Sequence, residues 1–179
     1  MYRLFIAIDL PKPVKNRLEV LQKHLDGVKW IELQQMHLTI RFLGNVDEEL
    51  YQKLLSNLKK IRSPSFVYSI KGVGVFPNIH RPKVLWAGVE ADDRLSILYQ
   101  KIEEVVISSG FDPQERDYKP HITLGRVKRR LHSEECQTFL GKHEKLEITD
   151  IKVDNFILYQ SRLTRHGALH QQLQQYSLS

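Results

Sequence analysis

Met36-His37-Leu38-Thr39-Ile40 and Pro120-His121-Ile122-Thr123-Leu124 carry one pattern twice, 84 residues apart (121 − 37): histidine, apolar, threonine, apolar. Strict polar and apolar alternation marks a strand with one buried face. His37 and Thr39 then share a face, and Leu38 and Ile40 anchor the other. His121 and Thr123 stand likewise over Ile122 and Leu124. Each copy sits in a similar order of strands and helices. The repeat therefore predicts two related lobes within a single domain over residues 1–179.

Working outward, residues 2–9 (YRLFIAID) are rich in β-formers and end at Pro11 and Pro13. Val14, Leu18, Leu21 and Leu25 form one stripe of a helix that Gly27 closes. Val28–Ile31 and 36–43 read as strands. A helix is expected from Asp47 to about Ile61, with acids at its start and bases at its end. Strands follow at 66–75 and 83–90. Asp92 or Asp93 caps a helix through Ser108 that Gly110 stops. A strand at 120–127, a short helix at 133–140, and strands at 146–153 and 155–161 complete the reading. The tail, 168–177, is ambiguous. A parallel doubly wound sheet is disfavoured, because no glycine-rich phosphate loop follows the first strand and several strands succeed each other without a helix. The expected class is α+β with antiparallel sheets.

With 179 residues, 41% apolar and 27% charged, the chain reads as globular rather than disordered. Lys plus Arg outnumber Asp plus Glu by 27 to 21, a net charge of +6 that permits a phosphate-bearing partner without proving one. The one cysteine, Cys136, excludes a disulfide framework and a multi-thiolate zinc site; it reads as inert. No signal peptide and no membrane span is legible, so a cytoplasmic location is expected.

Eight His and five Thr scattered over 179 residues would give His-x-Thr roughly 0.2 times by chance. It occurs twice, both times in an apolar strand. If the two strands lie side by side about a pseudo-twofold, two imidazoles face each other across a cleft. Imidazole exchanges protons near neutrality, so such a pair can serve one substrate as acid and base. Threonine hydroxyls can bind phosphate oxygens. A zinc site is a poor alternative: Thr is not a usual ligand, and neither motif has a nearby carboxylate or thiolate. No metal or other cofactor is expected.

The paired motifs HLTI (37–40) and HITL (121–124) resemble those of the two-histidine (2H) phosphoesterase superfamily. RLFIAIDLP (3–11), HLTIRFLG (37–44), RPKVLWAGV (81–89), YKPHITLGRVK (118–128) and LYQSRL (158–163) are similar to the RNA 2′,3′-cyclic phosphodiesterases, also called LigT-like or 2′-5′ RNA ligase-like proteins. That resemblance implies a bilobal α+β fold with two antiparallel sheets around a central cleft and helices outside. It implies hydrolysis of RNA 2′,3′-cyclic phosphate ends to 2′-phosphomonoesters, with 2′-5′ ligation as a reverse reaction. It also implies His37 as proton donor, His121 as proton acceptor, and Thr39, Thr123 and Arg126 as phosphate ligands. Strict alternation would turn Arg126 to the core, but a bulge at Gly125 would re-aim it. The implied partner is RNA bearing the cyclic end, with no membrane and no obligatory protein partner. The alternatives are a non-catalytic RNA- or nucleotide-binding module, or a 2H enzyme for small cyclic nucleotides.

Other residues have two readings. Lys128, Arg129 and Arg130 either grip RNA phosphates or form a solvated turn. Arg41 has the parity of His37 and Thr39 and is expected to face the cleft; Phe42 has core parity. Trp30, Phe76 and Tyr118 either stack on a base or pack in the core. His24, His80, His132, His143, His166 and His170 lack the motif and read as surface residues.

Overall fold

The structure is a computed structural model that describes residues 1–22, 25–165 and 167–179. His24 and His166, both expected at the surface, lie outside the described residues. The strands are β1 (Tyr2–Asp9), β2 (Val28–Trp30), β3 (His37–Val46), β4 (Phe66–Phe76), β5 (Val84–Ala91), β6 (His121–Val127), β7 (Glu147–Val153), β8 (Asn155–Thr164) and β9 (Gly167–Ser177). The helices are α1 (Lys12–Glu19), α2 (Glu48–Leu58), α3 (Asp93–Ser109) and α4 (Ser133–His143).

The strands form one antiparallel sheet in the order β7-β4-β5-β6-β3-β1-β8-β9, and β2 pairs with the end of β6. This is an α+β fold. The two expected sheets are the two halves of this ladder. They meet at β3 and β6, which share a single registered pair, Leu38↔Ile122. The halves are not both contiguous in sequence. The half β7-β4-β5-β6 is one run of sequence joined by the early β2, whereas β8 and β9 return from the C-terminal end to flank β1 in the other half.

The helices cover one face. Leu54 and Leu58 of α2, Leu98 and Ile102 of α3 and Cys136 of α4 join Leu38, Ile40, Ile122 and Leu124 in one buried core. Asp47 caps α2 by accepting from the Leu50 N–H at 2.9 Å, and Asp92 caps α3 through the Arg94 N–H. Gly110 ends α3 with φ 115°, a conformation that favours glycine. The first helix is shorter than its stripe suggests, because it tightens into a 3₁₀ turn at Val20–Gln22. No helix among the described residues is long and apolar enough to cross a membrane.

The opposite face is the cleft face. Here Phe5, Ala7, Ile157 and Tyr159 form a second, smaller apolar cluster. The ambiguous tail is strand β9, paired with β8 along its whole length.

Candidate active site

Leu38 and Ile122 pair at the centre of the sheet and point into the helix-side core, both fully buried. The residues beside them therefore project from the other face. Antiparallel register about this pair places His37 in line with Thr123 and Thr39 in line with His121, so the two histidines stand on a diagonal across the seam. The Tyr118 hydroxyl adds a second tie across this narrow seam by donating to the Thr39 carbonyl at 3.1 Å.

Both histidines are fixed in the same way. His37 Nδ1 lies 2.6 Å from the Gln35 carbonyl, and His121 Nδ1 lies 2.6 Å from the Lys119 carbonyl. A carbonyl only accepts, so each Nδ1 carries the proton and each Nε2 is left to exchange one. Each ring also has an aromatic wall. His37 packs on Phe5 (4.9 Å between centroids), Tyr159 (6.2 Å) and His170 (5.3 Å). His121 stands edge-on to Phe76 (4.9 Å) and 6.3 Å from Trp86.

A bulge follows each motif at the same place. Ile6 pairs with Arg41 and Ala7 with Thr39, which leaves Ile40 as the extra residue in β3. Leu85 pairs with Gly125 and Trp86 with Thr123, which leaves Leu124 as the extra residue in β6. Each bulge reverses the alternation beyond it. Arg126 is thereby turned outward and lines the cleft. In β3 the same reversal corrects the parity reading: Arg41 points to the helix side, where its Nε pairs with Glu103 of α3 at 2.8 Å. Phe42, 61% exposed, faces the cleft instead. Arg41 and Gly125 occupy equivalent positions. Gly125 is required by crowding, since a Cβ there would lie 2.6 Å from Val28 Cγ1 and 2.8 Å from the Trp30 ring.

A cavity of about 310 Å³ opens on this face. His37, Thr39, Thr123 and Arg126 all line it. His121 shares the face without forming part of the cavity wall; it stands opposite Gly88 of β5. His170, expected at the surface, also lines the cavity, from β9. Phe5, Tyr159 and Trp86 complete the ring walls, and nothing in their local sequence distinguishes them from core residues. Trp30 packs near Phe139 in the core, and Tyr118 stacks on Tyr99 at 4.3 Å. Lys128, Arg129 and Arg130 are exposed and line no part of the cavity. Among the described residues no group of three or more His, Cys, Asp or Glu is gathered to hold a metal ion.

Burial lowers His37 to about 4, assisted by the His170 imidazole; the Gln35 carbonyl and the Asp9 carboxylate pull the other way, and Lys15 adds a small lowering. Burial also lowers His121, against the pull of the Lys119 carbonyl and with help from Arg126. Both rings are therefore neutral at pH 7 in the free protein. Because His37 is harder to protonate in the folded state than in the unfolded one, its contribution to stability is complete above pH 6.5. It is lost as pH falls toward 4, by up to about 3 kcal/mol. Urea denaturation between pH 4 and 7 measures this slope, and His37→Phe is expected to flatten it.

The model of the family described as LigT like Phosphoesterase matches the chain twice, over residues 8–86 and 88–170. An RNA 2′,3′-cyclic phosphodiesterase of Thermotoga maritima is 38% identical over 184 residues, covering 96% of this chain and 92% of that protein. One of Archaeoglobus fulgidus is 33% identical over 174 residues, covering 96% and 97%. Among solved structures, the protein TT0787 of Thermus thermophilus superposes with a TM-score of 0.81 at 26% identity, covering 98% of this chain and 97% of that one.

Proposed function

Because the chain belongs to the LigT-like phosphoesterase family, we propose that it is an enzyme that hydrolyses the 2′,3′-cyclic phosphate of RNA ends to a 2′-phosphomonoester. The observation that carries this reading is the pair of histidines, each with Nδ1–H held by a backbone carbonyl two residues upstream, on one face with two threonines and an arginine. The two halves around them are read as related lobes of one domain, in keeping with the double match of the family model.

In the proposed reaction, neutral His121 takes a proton through Nε2 from the water that attacks phosphorus. The bond from phosphorus to the 3′-oxygen breaks, and protonated His37 gives its Nε2 proton to that oxygen. His121 ends protonated and His37 neutral, and exchange with solvent restores both. Thr39, Thr123 and Arg126 donate to the non-bridging oxygens as charge builds there. His37 must be charged to act, although burial keeps it neutral in the empty cleft. The anionic phosphate supplies the remedy, because an opposite charge at contact distance favours the imidazolium. Phe42, exposed on the cavity wall, offers the ribose and base an apolar surface.

Incubating the protein with a short RNA ending in a 2′,3′-cyclic phosphate should yield the 2′-phosphate end. A 3′-phosphate product would reverse which oxygen leaves, and no turnover would leave the binding module or an enzyme for small cyclic nucleotides. Because the proposed steps route every proton through imidazole, turnover is expected to be the same with and without EDTA. Loss on chelation that zinc or manganese restores would refute the metal-free mechanism.

A further inference from the structure

One row of the cleft takes no part in these steps. β1, β8 and β9 are neighbours, and the pairs Leu4↔Gln160 and Ser161↔His170 bring Arg3, Ser161 and His170 into line across them. The face is fixed by β1. Leu4, Ile6 and Ile8 belong to the helix-side core, and Phe5 and Ala7 to the cleft-side cluster, so Arg3 shares the face of Phe5. All three residues of the row line the cavity. The row lies one step, about 7 Å, beyond Phe5, against whose ring His37 packs.

The row is polar and its hydrogen-bonding capacity is unspent. Neither the Arg3 guanidinium nor the Ser161 hydroxyl has a hydrogen-bond or ion-pair partner among the described residues. His170 makes ring contacts, edge-on to Phe5 at 4.8 Å and to His37 at 5.3 Å. No carboxylate lines the cavity among the described residues. An arginine fork, a hydroxyl and an imidazole gathered without an acid suit a phosphate, which accepts several hydrogen bonds and keeps its negative charge at every ordinary pH.

We propose that Arg3, Ser161 and His170 form a subsite for a second phosphate, the phosphodiester on the 5′ side of the nucleotide that carries the cyclic phosphate. The inference rests on the reaction proposed above and deepens it: the enzyme selects a strand end over a free cyclic mononucleotide. Ala7 pairs with Thr39, and Arg3 lies two steps along β1 from it, about 13 Å by backbone, a gap that one nucleotide and the arginine side chain together span. Arg3 is the specificity-determining group, because it brings the permanent charge.

Two substrates isolate the added group: a 2′,3′-cyclic mononucleotide with a free 5′-hydroxyl, and the same nucleotide carrying a 5′-methyl phosphodiester. The quantity read is the ratio of their kcat/KM values. Wild-type protein is expected to favour the phosphodiester by about tenfold, the effect of one hydrogen bond to a charged group. Arg3→Ala should bring that ratio close to one, and Arg3→Lys, which keeps the charge but not the fork, should leave an intermediate ratio. A wild-type ratio near one would overturn the subsite, as would a ratio that Arg3→Ala leaves where it was, whether or not both rates fall. Failure of wild-type protein to turn over either substrate would instead refute the proposed reaction.

Discussion

His121→Ala is expected to lower kcat on RNA 2′,3′-cyclic phosphate by about 10²–10⁴-fold, and His37→Ala by a similar factor. The two losses have different causes, and the substrate can separate them. His37 is proposed to protonate a departing alkoxide, so His37→Ala should recover most of its rate on a phosphodiester with a nitrophenolate leaving group, which departs without a proton. His121 is proposed to act on water, which needs a base whatever leaves, so His121→Ala should stay slow on both substrates. The two groups are proposed to serve one transition state, so the double variant should lose much less than the product of the single losses. Steady-state kinetics on the two substrates settles the assignment. Equal recovery of both variants by the good leaving group would show the acid and base roles to be wrongly placed, and near-wild-type rates in both would remove the catalytic reading.

The part of this site that sequence displays is the part that obeys the period of a strand. His37, Thr39, His121 and Thr123 follow alternation, and the structure puts all four on the face opposite Leu38 and Ile122. Where alternation stops, so does legibility. The bulges at Ile40 and Leu124 have no residue signature of their own. Beyond them Arg41 and Phe42 exchange the places that parity gives them. Gly125 offers a hint that Arg126 turns outward, but the reason for glycine is the approach of Val28 and Trp30 from β2, which is a contact between distant segments. His170 is hidden for a related reason. It belongs to a glutamine-rich strand whose alternation breaks between Tyr159↔Gln172 and Leu158↔Gln174. Only the return of β8 and β9 beside β1 carries it to His37. The joining of the two expected sheets into one is equally out of reach, since it depends on the single pair Leu38↔Ile122.

Arg126→Ala is expected to lower kcat by about 10²–10³-fold, the effect of removing one preorganised donor from a developing oxyanion. The pseudo-twofold makes this residue the main asymmetry among the groups proposed to meet the phosphate. The two histidines have matching carbonyl partners and the two threonines matching places, but the second position after each bulge holds Arg126 in one half and Phe42 in the other. In the proposed reaction, charge stabilisation comes from the β6 side and the apolar surface from the β3 side, an asymmetry expected to set how a nucleotide lies in an otherwise symmetric cleft. Arg126→Lys should recover only part of the loss, because an ammonium cannot span two phosphate oxygens as the planar fork does. Gly125→Val tests the same geometry without touching the guanidinium. Its side chain would overlap Val28 and the Trp30 ring, which already crowd a bare Cβ at 2.6 and 2.8 Å. β2 must then move, and Arg126, paired with Lys29 of that strand, must move with it. Single-turnover rates for the three variants decide the matter. A wild-type rate in Arg126→Ala would remove the guanidinium from the transition state, and the reversal of alternation after Leu124 would then serve packing alone.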